Sequence, residues 1–187
     1  MPFVKGDKMY EKILTKASSA GIFECGLIKT SQLNFRDDIR KICEENSCHS
    51  YGKSWACPPA VGTLEECKER LLRYENMLVF TGKYDMDGQF DFEGWGKSMK
   101  DFKKLVWKFD EELEDLKDSL PGYLLLWNEG CGVCKECSYP DAPCRFPEKM
   151  HHSLEGYGLW VSELARLAEV KYNNGPNTIT YFGALLY

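Results

Sequence analysis

The sequence predicts a mixed α/β fold: a sheet of about four strands packed with helices, plus two irregular cysteine-rich metal-binding loops. Three observations carry this reading. Short apolar runs of strand character alternate with longer segments of helical period. Seven of the nine cysteines fall in two stretches without any period, at about 43–62 and 130–147. At 187 residues the chain has the length of one domain with its own core, so a single domain over 1–187 is expected and metal need not be all that holds it.

Each element follows from local pattern. Residues 7–20 read as a helix, with Met9, Ile13, Ala17 and Ala20 on one side and Gly21 as the stop. Residues 22–28 read as a strand that turns Phe23, Cys25 and Leu27 to one face. A second helix over 31–42 aligns Phe35, Ile39 and Ile42 and delivers the chain to Cys43. The stretch 43–62 is a loop, since Pro58 and Pro59 remove two backbone donors. Thr63-Leu64-Glu65-Glu66 is a capping box, so a helix begins at Leu64 and sets Leu64, Cys67, Leu71 and Tyr74 on one face. Residues 77–80 form a strand, and 84–96 a polar connection. The longest helix is expected over 97–120, with Met99, Phe102, Val106, Phe109 and Leu113 in register and Pro121-Gly122 ending it. Residues 123–127 are a strand that feeds the second cysteine loop. A last helix covers 154–170 with Trp160, Leu164 and Leu167 inward, and a turn at 173–176 precedes a strand over 178–186.

Composition narrows the class. A formal net charge of −5 argues against nucleic acid as a partner. No apolar run approaches a membrane span, and the first eight residues lack the apolar region of a secretory leader, so a cytoplasmic protein is expected. In a reducing compartment clustered thiols bind metal rather than pair as disulfides.

Cys131-x2-Cys134-x2-Cys137 offers three thiolates to three corners of one iron–sulfur cluster, and Cys144 supplies a fourth. Gly130 and Gly132 let the main chain come close to such a group. Arg145 reads first as an ordinary surface ion pair, with a hydrogen bond near the cluster as the alternative. The competing reading is structural zinc, but three thiols within seven residues is an unusual grouping for that ion.

Cys43-x4-Cys48-x8-Cys57 offers three thiols without an evident fourth. The fourth ligand is His49, Cys67 or Cys25; or one iron stays open; or the two groups exchange ligands, as in two-cluster ferredoxins. Cys67 and Cys25 fit the apolar faces of their own elements and read better as inert buried thiols. His49 sits in a polar loop, and His151-His152 reads as a surface pair. Trp55, Trp95 and Trp127 read either as core or as shields over a cluster.

The motif Cys43-x4-Cys48-x2-Tyr51-Gly52-x2-Trp55-x-Cys57-Pro58-Pro59, with Cys131-x2-Cys134-x2-Cys137-x6-Cys144-Arg145-x-Pro147 far downstream, resembles the uncharacterised cysteine-rich "predicted metal-binding protein" family of bacteria and archaea, frequent in anaerobes. Ser153-Leu154-Glu155-Gly156-Tyr157-Gly158 and the strand Thr178–Gly183 resemble it too, although Ser-Leu-Glu-Gly stands where the family has Ser-Met-Glu-Ala. The resemblance runs from about Gly21 to Tyr187 and implies metal binding, with no reaction attached.

Three functions follow as expectations. The first is a redox protein with one or two [4Fe-4S] clusters on Cys43, Cys48, Cys57, Cys131, Cys134, Cys137 and Cys144, exchanging electrons with a partner protein. The second is an enzyme that presents an open iron of the three-thiol site to a small molecule. The third is a zinc-stabilised interaction module. No Ser/His/Asp set, phosphate loop or nucleotide fingerprint is evident, and no spacing demands a corrinoid or flavin.

Overall fold

Successive residues of the segment Asn76–Asp85 point to opposite sides of a sheet, and both sides are covered. Met77 and Val79 enter one core, Leu78 and Phe80 the other. The computed structural model behind this description covers residues 7–88, 90–120, 122–128 and 130–187. Among these residues five strands form one sheet: β1 (Glu24–Lys29), β2 (Asn76–Asp85), β3 (Leu124–Trp127), β4 (His152–Ser153) and β5 (Thr178–Leu186). Their order is β1-β2-β5-β3-β4. All neighbours are antiparallel except β3 and β4, which run parallel.

Two helical layers close the faces. α1 (Lys8–Ala20) and α4 (Phe92–Leu113) cover one face through Ile13, Ala17, Phe102, Val106 and Phe109. α3 (Leu64–Leu71) and α5 (Val161–Leu167) cover the other through Cys67, Leu71, Leu164 and Ala165. α2 (Asp37–Glu44) packs beside the turn at Glu155–Tyr157. Burying a side chain such as Phe80 stabilises the fold by roughly 1.5–3 kcal/mol. Gly183 pairs with Phe80 on one side and Trp127 on the other, and a Cβ there would run into the Phe80 ring.

Local signals set the element ends. Asp7 caps α1 by accepting from Met9 N–H at 2.9 Å, and Gly21 ends it at φ +96°. The capping box at α3 is complete: Thr63 Oγ1 accepts from Glu66 N–H at 3.2 Å, and Glu66 Oε2 accepts from Thr63 N–H at 2.7 Å.

Several expectations are corrected. The helix expected over 31–42 is a 3₁₀ turn at Thr30–Gln32 followed by α2 from Asp37, and Ile42 is exposed. α4 starts at Phe92, inside the stretch read as a connection, because Asp91 caps it through Gly94 N–H at 2.8 Å. It also ends at Leu113 and passes into a 3₁₀ turn at Glu114–Leu116. Pro121, expected to end it, lies outside the described residues, as does the segment 1–6 read for a leader. The last helix is split, since Gly158 turns left-handed (φ +71°) after the 3₁₀ turn Glu155–Tyr157. Trp160 therefore precedes α5 and is exposed rather than inward. The fifth strand is β4, whose two residues include His152 of the histidine pair read as a surface feature. His151 is in fact buried, edge-on to the Trp127 ring at 5.1 Å.

No helix among the described residues is long and apolar enough to cross a membrane.

Candidate metal centre

The first cysteine loop leaves the end of α2, whose last turn carries Cys43. Asn46 and His49 take left-handed backbone conformations, which bend the chain sharply. Asn46 Oδ1 accepts from Tyr51 N–H at 3.0 Å, and Gly52 N–H donates to the Pro58 carbonyl at 2.9 Å, which closes the loop on itself. Ser153 of β4 then donates its N–H to the Ala56 carbonyl at 3.2 Å. The neighbouring Cys57 is buried, and Ser153 borders the same cavity.

The second loop leaves β3. Asn128 extends the β5 ladder beyond the strand: its N–H donates to the Phe182 carbonyl at 3.0 Å, and its Oδ1 accepts from Phe182 N–H at 2.9 Å. Gly132 is left-handed at φ +66°, and a Cβ there would lie 2.6 Å from Lys103 Nζ. A side chain at 132 would therefore be strained and would displace the lysine. Ser138 donates to the Pro143 carbonyl at 2.8 Å, and Arg145 donates to the Glu136 carbonyl. Arg145 thus ties its own loop together, where an ordinary surface ion pair was the expectation.

The loops meet. Two adjoining cavities lie between them, with Cys48, Ser50 and Gly130 on both. One, of about 450 Å³, is bordered by Cys43, Cys48 and Cys57. The other, of about 330 Å³, is bordered by Cys48, Cys131, Cys134, Cys137 and Cys144. Every thiol singled out in the two loops therefore borders one of two neighbouring spaces, and Cys48 borders both. All nine cysteines are free thiols. Among the described residues no three His, Cys, Asp or Glu side chains gather tightly enough for one metal ion.

Burial raises the thiol pKa values, Cys43 to about 11 with Glu155 and Cys48 adding to the effect. Burial lifts Cys57 to about 12, helped by Cys48 and opposed by Ser153. Cys131 is raised by burial and by Cys144, while the Val133 N–H and Lys103 pull it back. Uncompensated negative charge is therefore unwelcome in both cavities, and thiolates there call for a cationic partner. The donors are soft, which suits iron–sulfur or zinc chemistry and not hard cations.

Candidates outside the cavities stay outside. Cys67 is fully buried, 3.5 Å from the Val61 carbonyl and 3.8 Å from Arg40. Cys25 packs toward α1 and Tyr10. His49 borders the cavity of the second loop, not that of Cys43 and Cys57. Trp55 borders the second cavity, Trp127 lies in the core, and Trp95 is exposed and borders neither.

The pattern missed Lys103, Glu155 and Ser153, all of which border a cavity. Lys103 sits on α4 with only 8% of its surface exposed, its Nζ 5.5 Å from the Trp127 ring centre. Its sequence neighbours give no sign of this, because a lysine beside Phe102 on an amphipathic helix reads as solvated.

Residues 26–187 match the family described as "Predicted metal-binding protein (DUF2284)". No curated protein and no solved structure matches the chain.

Proposed function

The chain belongs to the DUF2284 family of predicted metal-binding proteins, and from that premise we propose that it is a redox protein carrying [4Fe-4S] clusters on its two cysteine loops. The observation that carries this reading is the convergence of seven loop thiols on two adjoining cavities. Cys131, Cys134, Cys137 and Cys144 would hold one cluster, and Cys43, Cys48 and Cys57 the other. Cys48, bordering both, is the natural site for ligand exchange between them.

Three thiols within seven residues, Cys131 to Cys137, support a cluster over zinc. Four thiolates around one zinc stand roughly 3.8 Å apart, as tetrahedral bonds of about 2.3 Å require. In a cubane each thiolate takes its own iron, so the sulfurs spread around a larger object. When bound, such a cluster supplies one-electron transfer. The protein's part is to hold the thiolates, bring the Gly130 and Gly132 backbone close, and exclude water with Trp55. Cys48 is exposed, which supports a short electron route to a partner protein.

A second reading has its own support. Three thiols leave one corner without a cysteine, and that cavity is walled by Ile39, Leu159, Trp160 and Val161. An open iron there would meet a small molecule with an apolar body.

Metal and acid-labile sulfide, measured on protein purified without oxygen, test both readings. Iron with sulfide and a reducible absorption near roughly 400 nm, where thiolate-ligated clusters absorb, is the expected result. Zinc without sulfide would overturn it and favour an interaction module.

A further inference from the structure

Three of the large apolar side chains left open to solvent border one cavity. Ile42 is 51%, Trp160 38% and Tyr172 57% exposed, and all three line the space of about 450 Å³ that Cys43, Cys48 and Cys57 also border. Two of the three are rings backed by protein. The Arg36 guanidinium lies 4.5 Å from the centre of the Trp160 ring and is itself forked onto Asp38. Tyr172 stacks on Phe182 with ring centres 5.7 Å apart. Both rings are thus held in place without a ligand, so little ordering cost opposes stacking against them.

The same cavity has an oriented donor. Asn128 borders it, and its Oδ1 accepts from Phe182 N–H at 2.9 Å, which fixes the way the amide points. Its Nδ2 group has no hydrogen-bond partner among the described residues. Glu155 is the charged side chain on the described walls, and it is already engaged within the protein. A charged ligand would therefore find no open counter-charge here, and its desolvation would go unrepaid.

We propose that this cavity is a binding site for a neutral, flat aromatic compound bearing a carbonyl. Its ring lies against Trp160 and Tyr172, and its carbonyl oxygen accepts a hydrogen bond from Asn128 Nδ2. Apolar walls with one oriented polar group are the usual make-up of a small-molecule site. The inference goes beyond the open-iron reading given above and shares only its cavity, since two rings and an amide supply the grip with or without iron.

The test is calorimetric titration of the full chain, purified without oxygen, with 1-methyl-4-quinolone and, as the carbonyl-free control, naphthalene. The quinolone should bind at one site and naphthalene about tenfold more weakly. Trp160→Ala should weaken both about tenfold, while Trp160→Phe, which keeps a ring, should retain most of the affinity. Asn128→Asp keeps an oxygen for Phe182 N–H but loses the donor. It should abolish the preference for the quinolone and leave naphthalene binding unchanged. Tyr172→Ala tests the stacking wall if Trp160→Ala fails to fold. No saturable quinolone binding, wild-type affinity in the folded alanine variant, or an unchanged preference in Asn128→Asp would overturn the inference. The open-iron reading fails separately, if the quinolone binds iron-loaded protein without altering its electron paramagnetic resonance spectrum.

Discussion

Trp55 donates its indole N–H to the Ala142 carbonyl at 3.0 Å, which links the two cysteine loops by a contact that involves no thiol. The same indole meets Tyr139 edge-on at 4.9 Å. Together these contacts tie the first loop to the second beside the cavity that Trp55 borders.

Trp55→Ala should therefore loosen both sites at once. The lost ring contact and hydrogen bond are worth about 1–2 kcal/mol. Cofactor loss to a chelator should speed up at both sites. Loss confined to one site would show that the loops are held independently.

Cysteine substitutions should divide by position. Cys134→Ser should remove the iron and sulfide of one site, and Cys48→Ser should disturb both. Cys67→Ala should leave metal content untouched while lowering stability by about 1–2 kcal/mol, as expected for a small buried hydrophobe. Metal analysis beside denaturant unfolding separates the outcomes.

Metal uptake should release protons. The Cys43 and Cys57 thiols, raised to about 11 and 12, are protonated throughout the neutral range before binding. Ligation requires the thiolate, so each should give up close to one proton between about pH 6 and 9. Calorimetry in buffers of different ionisation enthalpy reads that number, and affinity should rise with pH.

His151 should make the fold acid-sensitive. Burial lowers its imidazole to about 4 from 6.5, so the folded chain refuses a proton that the unfolded chain accepts. Stability from this source is complete above about pH 6.5 and is lost as pH falls toward 4, by on the order of 3 kcal/mol. Asp110 does not rescue it: its Oδ2 stands 3.7 Å from Nε2, while Tyr123 donates to its Oδ1 at 2.6 Å. His151→Phe should flatten the pH slope of unfolding by about one proton relative to wild type. An unchanged slope would mean that His151 titrates normally.

Gly132→Ala should impair the second site alone. The left-handed backbone costs about 1 kcal/mol with a Cβ, and the new methyl pushes on Lys103. Iron bound by Cys43, Cys48 and Cys57 should stay at wild-type level.

Pattern reading recovered whatever is fixed locally. The Thr63–Glu66 box, the Asp7-to-Gly21 helix and the strand at Thr178–Leu186 each declare themselves within a few residues. It failed where a local cap outweighs poor helix propensity and where distant contacts decide. The Gly94 and Gly96 positions weaken helix propensity, yet α4 begins before them because Asp91 caps it. His151 enters the core because β4 pairs with β3, and two residues are too short for a period to register. Both cysteine groups were legible as clusters of thiols in irregular loops. That they share a wall at Cys48, and that a lysine from α4 stands beside one of them, depends on tertiary packing.

β5 follows every other described strand, yet it sits between β2 and β3, which are not paired with each other. During synthesis the halves bearing the two thiol sets stay unlinked through the sheet until this segment emerges. Asn128, which anchors the second loop by bonding Phe182, has no partner there before then. Until the central strand pairs on both sides, nothing in the sheet holds the two thiol-bearing halves together.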